Sequence, residues 1–129
     1  KKTPKGKYKI ENLYYRKDRL SKPKTELKCI EIKKNMGWCD DLSKKKYYNK
    51  MVKINRNIKC EKLLRKDNKY DLLIPIKYNF NYPILGKGSC IFIHLTKKFL
   101  PTAGCIGLEK KDFLIMLRLI NNKTKIKIC

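Results

Sequence analysis

Two side chains in this sequence are suited to nucleophilic catalysis by type and by spacing. Cys105 lies in Thr102-Ala103-Gly104-Cys105-Ile106-Gly107, eleven positions after His94, the one histidine of the chain. A thiol becomes a strong nucleophile when an adjacent imidazole takes its proton. Gly104 and Gly107 let backbone N–H groups turn toward one point, as a developing oxyanion requires. Such a set performs acyl transfer through a thioester. Cys90 is the rival nucleophile within the same hypothesis. The bland alternative is a small buried thiol beside a structural histidine.

The elements that must position these groups are legible in outline. Ser89 to Leu95 reads as a buried strand, with Cys90, Phe92 and His94 on one face and Ile91, Ile93 and Leu95 on the other. Pro101 to Gly107 reads as a loop. Glu109 to Ile120 reads as the one long helix, with Phe113, Met116, Leu117 and Ile120 on its core face. Glu109 and Asp112 in its first turn and Arg118 in its last suit the helix dipole. Cys105 just ahead of that helix would have its thiolate favoured by the N-terminus.

Further strands are expected over Lys7 to Leu13, Tyr70 to Tyr78 and Thr124 to Cys129, and a weaker one over Glu26 to Ile32. Pro75 predicts an edge or a bulge in its strand. Met36 to Ser43 reads as turn-rich, and Lys59 to Lys66 as a short helix. The fold class is β-rich mixed α+β.

Composition bounds the rest. The 129 residues fit one domain, residues 1–129. The longest apolar run, Phe113 to Leu117, falls far short of the roughly 18–20 residues that cross a bilayer. The formal charge is +23, carried by 29 Lys and only 5 Arg. Lysine lacks the bidentate fork with which arginine reads guanine and phosphate, so specific nucleic-acid binding is not expected. Attraction to anionic polymers at low salt follows from the charge alone.

The six cysteines include no Cys-x-x-Cys pair, and their spacing argues against a disulfide framework or a zinc site. No cofactor or metal is expected. The chain opens at Lys1 without an initiator Met or the apolar core of a signal peptide, as though a segment preceded it.

The stretch Gly88-Ser89-Cys90-Ile91-Phe92-Ile93-His94, followed by Pro101-Thr102-Ala103-Gly104-Cys105-Ile106-Gly107-Leu108, resembles the catalytic segment of the YkuD-type L,D-transpeptidases. It is similar in particular to a small single-domain bacterial branch with a Pro-Thr-Ala-Gly-Cys loop. Thr3-Pro4-Lys5-Gly6, Tyr15 to Arg19, Gly37-Trp38-Cys39-Asp40-Asp41, Tyr48-Asn49, Tyr70-Asp71-Leu72 and Tyr78-Asn79 resemble further landmarks of that branch.

The resemblance implies an L,D-transpeptidase-like β-sandwich or barrel with one long helix after the catalytic loop, lacking an opening β-segment. It implies Cys105 as nucleophile, His94 as base, and the N–H groups of Gly104 and Cys105 as oxyanion donors. Ser89 and Thr102 are candidate supporting residues, and Trp38, Asp40, Arg16 and Arg19 candidate substrate-binding residues. The implied partner is the stem peptide of peptidoglycan, met by a monomer in the cell envelope or periplasm.

The chain departs from the wider family at two places. Ala103 stands where a second His is usual, and Gly107 where Arg or Asn is usual. A basic module that binds nucleic acid or anionic wall polymer, and an inactive wall-binding relative, are the competing readings.

Overall fold

The computed structural model describes residues 5–97 and 105–129. Ten short strands and one helix follow in the order β1 (Gly6–Lys9), β2 (Leu13–Tyr15), β3 (Cys29–Glu31), β4 (Met36–Cys39), β5 (Met51–Lys53), β6 (Cys60–Lys62), β7 (Leu72–Pro75), β8 (Phe92–Leu95), β9 (Ile106–Leu108), α1 (Lys110–Leu119) and β10 (Lys125–Ile128). The β-rich mixed class and the single long helix agree with the sequence.

A five-stranded sheet, in the order β3-β2-β7-β8-β9, is the middle layer. Side chains alternate across a strand, and here both faces are covered. Leu13, Tyr15, Leu72, Ile74, Ile93 and Leu95 enter one core with Phe113 and Leu117 of α1, against which Ile126 and Ile128 of β10 also pack. Tyr14, Leu73 and Phe92 enter a second core with Met36 and Trp38 of β4. The β1–β10 ribbon and α1 therefore lie on one face, and the three-stranded sheet β5-β4-β6 on the other. Double coverage explains why β7, at Leu72-Leu73-Ile74-Pro75, is continuously apolar and buried throughout.

Helix α1 buries the expected stripe. Phe113 and Leu117 are fully buried, while Met116 and Ile120 pack partly buried against the same core. Asp112 lies in its first turn and Arg118 in its last, and Glu109 stands at the N-cap without a side-chain cap bond. Lys125 and Lys127 of β10 face solvent, as expected.

Two local expectations are corrected, and a third is narrowed to one of its two alternatives. The segment predicted as turn-rich contains β4, the buried centre of the three-stranded sheet. Its glycine is extended backbone rather than a turn: a Cβ at Gly37 would stand 2.6 Å from Cys60 Sγ, so close strand packing requires it. The short helix predicted at Lys59 to Lys66 is instead β6, drawn into strand by pairing with β4. Tertiary pairing overrides propensity in so short a segment.

Pro75 is the third case. It sits in a central strand, paired with Phe92 of β8, not at a sheet edge. Ile76 N–H donates to Ile91 O at 2.9 Å, so by alternation Pro75 holds a non-hydrogen-bonded position toward β8. Its missing N–H falls on the other side, at the bulge expected as the alternative to an edge: Glu11 and Asn12 together stand opposite Pro75, between the Ile10–Ile76 bridge and the ladder through Tyr14–Leu73. There Pro75 O accepts from Glu11 N–H at 2.9 Å.

Candidate active site

Strand β8 carries His94 and pairs in parallel with β9. Ile93 is in register with Ile106, His94 with Gly107 and Leu95 with Leu108. In-register residues of paired strands share a face. Cys105, one residue before β9, therefore continues the register opposite Phe92, and points from the same sheet face as Phe92 and His94. Cys105 and Phe92 both pack at the second core, as this alternation requires, and Cys90, ahead of the strand, packs there too.

The Cys105 sulfur is held by the backbone that starts β8. It accepts from Phe92 N–H at 3.5 Å and donates to Cys90 O at 3.1 Å. That carbonyl is available because Cys90 adopts a left-handed backbone, φ +60°. The ladder with β7 proper begins only after it. A non-glycine residue at positive φ is uncommon, and strain of this kind concentrates at functional sites. The sequence offered no signal for it, since Asn, Asp and Gly are the usual occupants.

His94 is buried to 2% exposure. Its Nδ1 lies 2.9 Å from Leu95 O. A carbonyl only accepts, so the neutral ring carries its proton on Nδ1 and leaves a lone pair on Nε2. Nε2 is buried and has no hydrogen-bond partner among the described residues. Burial holds the imidazole below its usual pKa, helped by the nearby Lys69 and Arg65 cations, with only the Leu95 carbonyl acting the other way. The resting ring is thus a neutral base with an unused acceptor. Tyr70 packs edge-on against it, with ring centroids 6.2 Å apart, and Phe92 continues the aromatic wall.

A cleft of about 910 Å³ opens at the end of β8, against His94, Leu95, Thr96 and Lys97, and Cys105 is not among its described lining. Its described lining carries four lysines (Lys69, Lys97, Lys110 and Lys111) against three carboxylates (Asp67, Asp71 and Glu109).

The other sequence candidates fall into place unevenly. Cys90 is half-buried, and burial pushes its thiol up to about 12. It is a poor nucleophile, and its contribution here is its carbonyl. Ser89 is buried and donates from Oγ to Cys39 O at 2.6 Å, tying the start of β8 to β4. Trp38 is 2% exposed, stacks edge-on against Tyr14 and Phe92, and donates from Nε1 to Asn49 Oδ1 at 2.8 Å. It is a core aromatic, and a role stacking on substrate is corrected by its burial.

Arg16 is likewise buried, forked onto Asp18 and donating to Arg65 O at 2.7 Å. Arg19 pairs with buried Asp71 at 2.8 Å and donates to the carbonyls of Asp67 and Lys66. Both guanidiniums hold the 65–71 loop, Arg16 from a buried position and Arg19 from an exposed one. Asp40 lies at the end of β4, its N–H bonded to Lys59 O, outside the described lining of the cleft.

Gly104 and Thr102 lie outside the described residues. The placement of Cys105 at a helix N-terminus is also corrected. Strand β9 separates it from α1, which begins at Lys110, so the helix dipole does not act on the sulfur directly.

Sequence reasoning marked Tyr70 and Asn49 as landmarks of the resemblance without giving either a role, and did not single out Lys69. Asn49 holds Trp38 and also donates from Nδ2 to Tyr78 O and Asn79 O, joining the β4–β5 connection to the segment after β7. Its own left-handed backbone, φ +57°, suits an asparagine.

Compared with known proteins, the chain matches the family model of the YkuD L,D-transpeptidase catalytic domain over residues 1–128. No curated protein and no solved structure matches it.

Proposed function

Because the chain belongs to the YkuD L,D-transpeptidase catalytic-domain family, we propose that it is a cysteine acyltransferase acting on peptidoglycan stem peptides. The observation that carries the reading is the His94 ring: Nδ1 is committed to Leu95 O while Nε2 is buried and unused, on the sheet face from which Cys105 projects.

In the first half-reaction, His94 Nε2 takes the thiol proton as the Cys105 sulfur attacks the amide carbonyl between a diamino acid and a terminal D-Ala. The Phe92 N–H that meets the sulfur at 3.5 Å favours the thiolate as the proton leaves. The backbone N–H groups of Gly104 and Cys105 are assigned to the oxyanion. When the tetrahedral adduct collapses, the C–N bond breaks and the imidazolium returns its proton to the departing D-Ala amine. A thioester remains on Cys105. In the second half, a side-chain amine of another stem attacks it, and the cross-link forms as the thiol is restored.

The Leu95 carbonyl keeps the imidazole in the tautomer this cycle needs, and stabilises the imidazolium it passes through. Lys69 and Lys97, on the cleft wall, are assigned to the carboxylates of the stem. They take over the part for which the sequence proposed Arg16 and Arg19. The substrate places the protein in the cell envelope, where it acts as a monomer and where the +23 charge adds a salt-dependent attraction to anionic wall polymers.

The test is intact-mass analysis after incubation with a synthetic stem tetrapeptide. An acyl adduct that maps to Cys105 and is lost in Cys105→Ala supports the assignment. An adduct on Cys90, or none on a folded chain, overturns it.

A further inference from the structure

The three-stranded sheet sets a second pair of sulfurs opposite each other, apart from the Cys105 site. Cys39 of β4 is in register with Cys60 of β6. On one side of this pair Asp40 N–H donates to Lys59 O at 3.1 Å. On the other, three positions along β4, Leu63 N–H donates to Met36 O at 3.1 Å. Hydrogen-bonded and non-hydrogen-bonded pairs alternate along an antiparallel ladder, so Cys39 and Cys60 form a non-hydrogen-bonded pair. In such pairs Cα atoms approach to about 4.5 Å and the side chains leave the same face. That separation lies inside the roughly 4.4–6.8 Å that a disulfide spans.

The neighbouring residue on that face leaves room. A Cβ at position 37 would meet Cys60 Sγ at 2.6 Å and Cys60 Cβ at 3.2 Å, so the bare Gly37 gives the Cys60 side chain the space in which to turn. Cys39 is wholly buried, whereas Cys60 is half-buried and borders a surface hollow with Lys62, Leu64 and Arg65. An oxidant would therefore reach Cys60 first.

We propose that Cys39 and Cys60 are the site of a cross-strand disulfide, made by exchange with a small-molecule or protein disulfide. The Cys60 thiolate attacks one sulfur of the donor, forming a mixed disulfide and expelling one donor thiol. The Cys39 thiolate then attacks the Cys60 sulfur, the mixed S–S bond breaks, and the second donor thiol leaves. Two protein thiols are oxidised, one donor disulfide is reduced, and the two protons pass to the departing thiols. The bond joins the strands behind the Cys105 face. Cys39 O accepts the Ser89 hydroxyl and Trp38 packs on Phe92, so it tightens the layer on which the start of β8 rests. Its formation does not depend on the transpeptidase reading, since neither sulfur belongs to that site.

The experiment equilibrates the full chain in mixtures of reduced and oxidised glutathione, quenches with acid, alkylates, and maps the peptides by mass. The expected result is a linked peptide pair containing Cys39 and Cys60, two hydrogens lighter than the thiols. Closing a loop of this size should raise Tm by roughly 5–10 °C. Cys60→Ser should keep the Tm of the reduced chain and lose the rise on oxidation. Alkylation of both Cys39 and Cys60 under oxidised glutathione, glutathione retained on Cys60 without resolution, or a bond from Cys90 to Cys105 in its place would each overturn the proposal.

Discussion

Gly107 lies directly across the β8–β9 ladder from His94, and a Cβ at that position would stand 3.6 Å from the ring's Cε1. The same Cβ would meet Thr96 Cγ2 at 3.0 Å, tighter than an ordinary contact. Glycine at this place, where the resemblance implied Arg or Asn, leaves the imidazole uncrowded on that side. The first prediction follows from it. Gly107→Ala should shift Thr96 by a few tenths of an ångström and lower Tm only slightly, whereas Gly107→Val should also displace the His94 ring. Acylation of Cys105 by a stem peptide should slow more than tenfold in the valine variant, on the general sensitivity of catalysis to misplacement of about 1 Å. Equal losses of rate and stability across the two variants would contradict this.

The nucleophile and its base should behave as a unit. Cys105→Ala and His94→Ala should each reduce acylation to background, and the double variant should be no worse than either alone. Cys90→Ala should retain the reaction, since its thiol is held up near 12 by burial and only its backbone is used. Single-turnover mass spectrometry of the four proteins separates these outcomes.

Titration of His94 should leave a mark on both rate and stability. Burial lowers its pKa from the ordinary 6.5, so the basic form persists below that value. The acid limb of the acylation profile should therefore have its midpoint below pH 6.5, and His94→Ala should abolish it. For stability, the unfolded chain protonates near 6.5 while the native ring resists. Between the lowered native pKa and 6.5 the unfolded state binds more protons, so stability falls as pH falls through that window. Urea unfolding across pH 5 to 7 measures the slope, which should shrink in a His94→Gln variant.

Trp38 offers a test that distinguishes core from cleft. Trp38→Ala should cost roughly 3–5 kcal/mol by leaving a cavity between Tyr14 and Phe92. Trp38→Phe should cost about 1–3 kcal/mol, because buried Asn49 Oδ1 loses its donor. Neither change should alter KM for a stem peptide in the folded fraction. Chemical denaturation with parallel kinetics reads both.

The Arg19–Asp71 pair should behave as scaffold. Arg19→Met leaves Asp71, a largely buried carboxylate, with Asn68 as its one side-chain donor among the described residues. Since Arg19 itself is partly exposed, the cost should stay near 1–2 kcal/mol, below that of a fully buried pair. KM should rise only as far as the 65–71 loop moves the cleft wall. A large KM change with unchanged stability would instead return Arg19 to the role of a substrate ligand.

Read alone, the sequence determined the class, the helix, the alternation along β8 and the family. These are local properties: period-two and period-3.6 apolar patterns record which faces are buried, and Gly88 to Leu95 with Pro101 to Leu108 is a short run of ordered residue types. It also named Cys105 and His94, because thiol and imidazole are few enough to be noticed. What it could not decide depended on partners far along the chain. Segment 36–39 is a strand because β5 and β6 flank it, and segment 60–62 is a strand because β4 does. Trp38, Arg16 and Arg19 are tied into the scaffold by Asn49, Arg65 O and Asp71, partners that only the fold brings to them. The left-handed Cys90 that offers its carbonyl to the Cys105 thiol, and the meeting of Cys39 with Cys60, are likewise products of the tertiary fold. Register is fixed by the simultaneous packing of both sheet faces, and no single stretch of residues encodes it.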